Sequence, residues 1–380
     1  MKPQAIVARL VSVALALLAV ASGTETMSSD ENNGRALTWD ASWNQGVQEP
    51  PNRGEYLNRW ADMLRESMKM GGEALLKLVP VGCGIPQPLY MLDPSFSHGR
   101  ITDQFKYQLS NSMEQNTINV MHYIYKTANA GSSKCQVLDM GANDGYYALL
   151  AGAYGCTVRS VEPQQLCYER LSMALGFNTL PGEVNLLRGA VGTTGTTLQI
   201  PRMDQCNGMF QASHSYSGPM RSRGAQYSEF DTVKMHTATS LADEGSKVTL
   251  WHVDVEGAEV DVIKSGADML LEGRVEHLIL ELEGSRWPGM GVSDAEGIKT
   301  LKPLLANYHC RDLQDLKYVG SGHQFIEHFK NSGRSGEYWC FLDPAHKTAK
   351  VRRTFPCLPH GGTNRRMPLK KAKKGRRTDH

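Results

Sequence analysis

The feature that most constrains this chain is a glycine-bracketed turn between an apolar run and an apolar helix. Gln136-Val137-Leu138-Asp139 is a short buried-strand pattern. Asp139-Met140-Gly141-Ala142-Asn143-Asp144-Gly145 follows, and residues 146–153 then read as a helix. Glycines at such a turn let the backbone bend tightly and approach a ligand closely, and amides at a helix start can bind polar groups. A dinucleotide fingerprint reads G-x-G-x-x-G. Here the order is D-x-G-x-x-x-G, and a carboxylate at the first position repels a pyrophosphate but tolerates a cationic ligand. A glycine-rich turn with no ligand is the plainer alternative.

The strand, turn and helix rhythm repeats after this point. Residues 157–161 form a second strand pattern that ends in Glu162-Pro163. A helix follows with Cys167, Leu171, Ala174 and Leu175 on one face. Residues 184–191 read as a third strand and residues 248–253 as a fourth. The next helix places Val260, Ile263, Ala267, Leu270 and Leu271 on one face, and residues 277–282 read as a fifth strand. Alternation of this kind predicts an α/β fold with a mostly parallel sheet and helices on both faces. Between Gly192 and Lys247 the rhythm breaks into a Ser-, Thr- and Gly-rich insertion, with hairpin strands expected at 197–200 and 232–235. Residues 338–342 read as a last buried strand. The Pro- and Gly-containing segment 79–94 is expected to be irregular.

Two strand ends carry acids that point to chemistry. Glu162 lies 17 residues after Gly145, where an acidic residue of a Rossmann-like sheet bonds ribose hydroxyls. Trp251-His252-Val253-Asp254-Val255-Glu256-Gly257-Ala258-Glu259 gathers three carboxylates and an imidazole at the end of the fourth strand. Helix capping accounts for one of Asp254 and Glu256. Glu259 reads as first-turn charge. His252 points away from the face shared by Trp251 and Val253, and a buried, satisfied histidine is its plain reading.

Together these segments resemble the FkbM family of methyltransferases. The likeness is carried by residues 137–162, by Asp254-Val255-Glu256-Gly257-Ala258-Glu259, by Val262-Ile263-Lys264-Ser265-Gly266-Ala267 and by Leu278-Ile279-Leu280-Glu281, and it covers roughly residues 135–283. One departure is His252, where the family usually has Lys two residues before the Asp of its D-x-E-G motif. The resemblance implies a Rossmann-like class I methyltransferase fold with S-adenosyl-L-methionine as methyl donor. It also implies O-methylation of hydroxyls on sugars or natural products. The expected cofactor-binding residues are Asp139, Gly141, Asn143, Gly145 and Glu162. The expected catalytic residues are Asp254, Glu256 and His252, with Asp254 ranked first as general base. A metal bridged by Asp254 and Glu281 is a weaker idea and stays outside the expected site. A nicotinamide-dependent oxidoreductase and a non-catalytic binding protein are the rival readings.

The ends of the chain speak to location. Lys2 and Arg9 precede an apolar run from Leu10 to Ala21, small residues close it, and the first acid is Glu25. This is the pattern of a signal peptide over residues 1–23, and the run is short for a membrane span, which takes ~20 apolar residues. A signal anchor is the alternative; either predicts entry to the secretory pathway. Eight cysteines suit an oxidising compartment, although buried thiol fillers explain them equally well. No CxxC pair appears, so a structural zinc site is not expected. Residues 24–53 read as a flexible stem and 54–130 as a helical lead-in, with Leu57, Trp60, Ala61, Leu64 and Met68 on one face. The methyltransferase-like domain spans 131–345. Residues 346–380 are a basic tail: from Lys347 onward twelve Lys or Arg face one acid, Asp379. The tail therefore carries +11 and the rest of the chain −9. Such a run is a solvated end, a nuclear signal or an anion-binding element. In an exported protein an acidic polysaccharide or anionic surface is favoured over nucleic acid. By their positions in the last two strands of such a fold, Cys310 and Cys340 are expected to form a disulfide.

Overall fold

The computed structural model describes residues 78–81, 89–92, 112–128, 135–193, 197–202, 206, 221–222, 225–226 and 229–351. The expected signal peptide, stem, helix around residues 57–68 and most of the basic tail lie outside them. Among the described residues no helix is long and apolar enough to cross a membrane.

In chain order the strands are β1 (Leu78–Val81), β2 (Leu89–Leu92), β3 (Gln136–Met140), β4 (Thr157–Glu162), β5 (Val184–Arg188), β6 (Ala190–Val191), β7 (Thr197–Pro201), β8 (Arg221–Ser222), β9 (Ala225–Gln226), β10 (Phe230–His236), β11 (Val248–Val253), β12 (Val275–Glu283), β13 (His309–Asp312), β14 (Tyr318–Ser321) and β15 (Ser335–Phe341). The helices are α1 (Ser112–Ala128), α2 (Tyr146–Ala153), α3 (Gln165–Phe177), α4 (Ala238–Leu241), α5 (Glu259–Ser265), α6 (Ala267–Leu271), α7 (Asp294–Leu304) and α8 (Gly322–Asn331).

Eight strands form the main sheet, in the order β14-β13-β15-β12-β11-β3-β4-β5. The five from β12 to β5 are parallel, as the alternating pattern requires. β15 enters antiparallel between β12 and β13. Strand order reverses between β3 and β11, and open α/β sheets hold ligands at the carboxyl ends beside such a switch. This is the Rossmann-like methyltransferase arrangement. Two apolar clusters cover the two faces. Trp251, Val253, Leu278 and Leu280 face one side, and Leu250, Ile279 and Trp339 face the other. This is the two-residue alternation of a strand buried on both faces.

Several elements depart from the sequence reading. Residues 184–191 split at Gly189: β5 joins the main sheet, whereas β6 turns off and pairs with β10. The insertion hairpin forms as β7 against β10, with Leu198 opposite Val233, and β6 lies on the other side of β10. The helix after the fourth strand is two helices, α5 and α6, interrupted at Gly266, and Leu271 is 58% exposed rather than on the buried face. A side chain at Gly266 would strike the Trp251 indole at 2.6 Å, so glycine permits the close pass and the helix breaks there. Segment 79–94 is not irregular throughout, because β1 and β2 pair antiparallel around it. Helix α1, assigned to the lead-in, places Val120, Met121, Ile124 and Tyr125 in the core.

Three disulfides join described residues. Cys135–Cys156 links the starts of β3 and β4, and Cys310–Cys340 links facing positions of β13 and β15, the expected pair. Cys167–Cys206 ties α3 to the insertion. Cys83 and Cys357 lie outside the described residues.

Candidate active site

The cleft opens at the carboxyl ends of β3, β4 and β11. Gly141 and Ala142 both donate their amides to the Val161 carbonyl, at 3.0 and 3.1 Å, which folds the turn back across β4. Gly141 has φ +87°, and a Cβ there would lie 1.7 Å from the Asp254 carbonyl oxygen. Only glycine fits where β3 and β11 part. Asn143 is also left-handed, with φ +51°, a conformation Asn tolerates better than most residues. Gly145, φ +91°, packs against Leu171 and opens α2; it supports the turn without lining the cleft.

Glu162 ends β4, 2% exposed. One carboxyl oxygen accepts the Asn143 amide and the other the Gln164 amide, each at 2.8 Å. Burial pushes its pKa up to about 7, against the pull of the two amides. A carboxylate has about four lone-pair sites. The Gln164 side chain also donates to the carboxyl, so one site remains after these three bonds are counted, and the group borders the cleft. The cleft is a groove partly open to solvent, with Glu162 on one side. Its apolar walls include Val191 at the mouth of the insertion, Leu198 and Met235 from the insertion, and Met290 from the segment after β12.

Asp254 and Glu256 form the opposite wall. The Asp254 amide donates to Met140 at 3.0 Å, fixing this end of β11 to β3. Glu256 and Gly257 take positive φ, +56° and +111°, so the chain turns sharply before α5. Glu256 forms an ion pair with Arg286. Carboxylate oxygens of Asp254, Glu256 and Glu281 lie within 4.8 Å of one another, all three residues half-buried. Hard cations are held by oxygens in groupings of this kind. Arg286 already supplies a positive charge to this one.

Two expected residues sit elsewhere. Asp139 is 1% and His252 4% exposed, and they are neighbours across β3 and β11. His252 Nδ1 lies 2.8 Å from one Asp139 oxygen, the Ser160 hydroxyl donates to the other at 3.0 Å, and Tyr147 packs on the imidazole. Neither lines the cleft. They form a buried polar bridge inside the sheet. Arg286, Trp287, Gln164 and Met290 were not legible as site residues; they come from loops without a recognisable pattern. Glu259 was read as surface charge and is fully buried.

A cleft whose charged lining is carboxylate favours a cationic ligand over a phosphate. Residues 139–310 match the methyltransferase FkbM domain model. The chain carries an FkbM methyltransferase domain. That domain begins at Asp139 and ends at Cys310, so it includes the turn, Glu162, the insertion and the Asp254 wall. Similar solved structures include WbdD, 14% identical over 63% of this chain and 43% of that one, with a TM-score of 0.34. The human methyltransferase 10 domain containing protein is 10% identical over 59% of this chain and 80% of its own, TM-score 0.29. The plantazolicin methyltransferase BpumL, solved in complex with SAH, is 8% identical over 63% and 86%, TM-score 0.31. The chain thus spans less than half the WbdD structure. No curated protein matches the chain.

Proposed function

We propose that the chain is an S-adenosylmethionine-dependent O-methyltransferase acting on a hydroxyl of a glycan or small natural product. The observation that carries this reading is Glu162, held by two backbone amides at the rim of the cleft with acceptor capacity left over. When bound, S-adenosylmethionine supplies an electrophilic methyl group on a sulfonium. Glu162 would accept a ribose hydroxyl, and Gly141, which the Asp254 carbonyl requires to be glycine, keeps the turn folded at the cleft edge. Leu198, Met235 and Val191 exclude water from the apolar part of the ligand. Asp254 and Glu281 favour its positive charge.

Methyl transfer requires donor and acceptor in line, and such positioning accounts for ~7–11 kcal/mol of barrier. Asp254 faces the cleft and takes the acceptor proton as general base, an effect worth about 10²–10⁴-fold. Glu256 is engaged by Arg286 and is better suited to shaping the wall than to moving a proton. The carboxylate lining argues against a nicotinamide cofactor, whose pyrophosphate it would repel.

Location belongs to the same proposal. Three disulfides are what an oxidising compartment produces, and they support the export signal read from the first residues. A lumenal enzyme needs imported donor, because S-adenosylmethionine is charged. The basic tail would then contact acidic polysaccharide or an anionic surface. Calorimetric titration with S-adenosylhomocysteine and, separately, NADH tests the cofactor. Binding of the first alone supports the proposal, and binding of NADH alone overturns it. Incubation with labelled donor and a panel of glycans, lipids and small hydroxylated molecules tests the acceptor class.

A further inference from the structure

Glu259 opens α5 yet is shut away from solvent. One carboxyl oxygen accepts the Gly257 amide at 2.5 Å and the other accepts the Trp287 indole N–H at 3.0 Å. These donors belong to different walls of the cleft. Gly257 lies in the turn that carries Asp254 and Glu256. Trp287 lies in the segment that carries Arg286, which pairs with Glu256, and Met290, which lines the cleft. Trp287 is itself buried, packed on Phe329, and sits so close to Gly297 that a Cβ there would meet the indole at 2.4 Å. The indole cannot shift without moving its segment.

Nothing in packing alone asks for an acid at this place. A buried carboxyl is costly, and burial, with the charge of Glu281 adding to it, pushes the Glu259 pKa up to about 7. The turn beside it is strained at the non-glycine residue Glu256. Strain of this kind persists where surroundings over-determine it. The Gly257 amide is restrained by the carboxyl that also holds Trp287.

We propose that Glu259 is a positioning residue: its carboxyl locks the turn at residues 254–258 to the segment at 284–292, so that the two walls of the cleft are set together. The role in ligand handling rests on the reading of the cleft as the donor site. It makes the segment after β12 part of the binding apparatus rather than a passive loop.

Hydrogen–deuterium exchange on the full chain tests the lock, with S-adenosylhomocysteine as probe. Trp287→Phe keeps the ring and removes only the indole donor. Glu259→Gln keeps one acceptor oxygen but sets its amide against a second donor. In ligand-free protein each substitution should speed exchange at least threefold in both segments. In wild type the probe should slow exchange in both; in Trp287→Phe it should protect 254–258 but no longer 284–292, with affinity reduced about three- to tenfold. The double variant is the sharper measurement. With the indole donor gone, the Gln oxygen is left to the backbone amides of Gly257 and of residue 259 itself, so exchange at 254–258 should return toward wild type instead of worsening additively. Additive effects, or full protection of 284–292 in Trp287→Phe, overturn the lock. If wild type binds no S-adenosylhomocysteine, the donor reading fails separately. The ligand-free exchange then decides alone, and acceleration confined to one segment overturns the inference.

Discussion

Replacing Glu162 with Gln is the most direct challenge to the donor site. The substitution keeps the shape of the side chain, but only one of its two terminal atoms can accept. The Asn143 and Gln164 amides are both held at 2.8 Å, so one of them loses its partner. A buried donor left unsatisfied costs about 1–3 kcal/mol. The ionic character of any ligand hydroxyl bond disappears as well, and bonds to charged groups are worth ~1.5–3 kcal/mol. Affinity for S-adenosylhomocysteine should fall at least tenfold, which is about 1.4 kcal/mol. Calorimetry measures the affinity, and thermal denaturation confirms that the domain still folds. The pH dependence gives a second signature. Burial holds the Glu162 pKa up at about 7, above its unfolded value of 4.5. Its contribution to folding stability is therefore fully present below pH 4.5 and lost as pH rises through 7. Ligand binding should run the other way, because the ionised form is the stronger acceptor: wild-type affinity should weaken from pH 8 to pH 6, and that of Glu162→Gln should change much less. Equal affinity of the two proteins at pH 8 would refute the assignment.

Asp254→Asn should retain S-adenosylhomocysteine binding within a few-fold while methyl transfer to an identified acceptor drops about 10²–10⁴-fold; unchanged turnover removes Asp254 from proton transfer. Cys206→Ser opens the Cys167 link, which closes a 39-residue separation. Loss of such a constraint should lower stability by about 2–4 kcal/mol in denaturant unfolding. Amino-terminal sequencing of protein made in a eukaryotic host should find a mature chain starting near residue 24, and a cytosolic chain still beginning at Met1 would contradict export.

The central sheet was legible because its strands are continuous apolar runs separated by glycine turns, a pattern that parallel, doubly covered strands leave in a sequence. That Gly141 and Glu162 line the cleft was legible because their positions relative to strand ends carry the signal. Asp139 and His252 were expected at the site for a related reason, and they stand outside the cleft lining. Both stand near strand ends, but only the register between β3 and β11 reveals that they face each other inside the sheet. Glu259 shows the opposite error. An acid at the first turn of a helix is ordinarily solvated charge. Its burial depends on Trp287, 28 residues later, in a loop without periodicity. The insertion hairpin was visible in its β-branched runs. Its attachment was not, because nothing in the spacing of eight cysteines singles out Cys167 and Cys206 as partners.

That attachment links maturation to the shape of the cleft. Cys167 and Cys206 lie with their sulfurs 3.5 and 2.9 Å from the Asn143 side-chain oxygen, directly beside the turn that borders the cleft. The insertion contributes Leu198 and Met235 to the cleft wall. A chain in which this pair is reduced lacks the covalent fastening of this wall. Oxidative folding then becomes a step in assembling the catalyst as well as in stabilising it. Reduced and oxidised protein would then differ at the cleft itself, even where their secondary structure is the same.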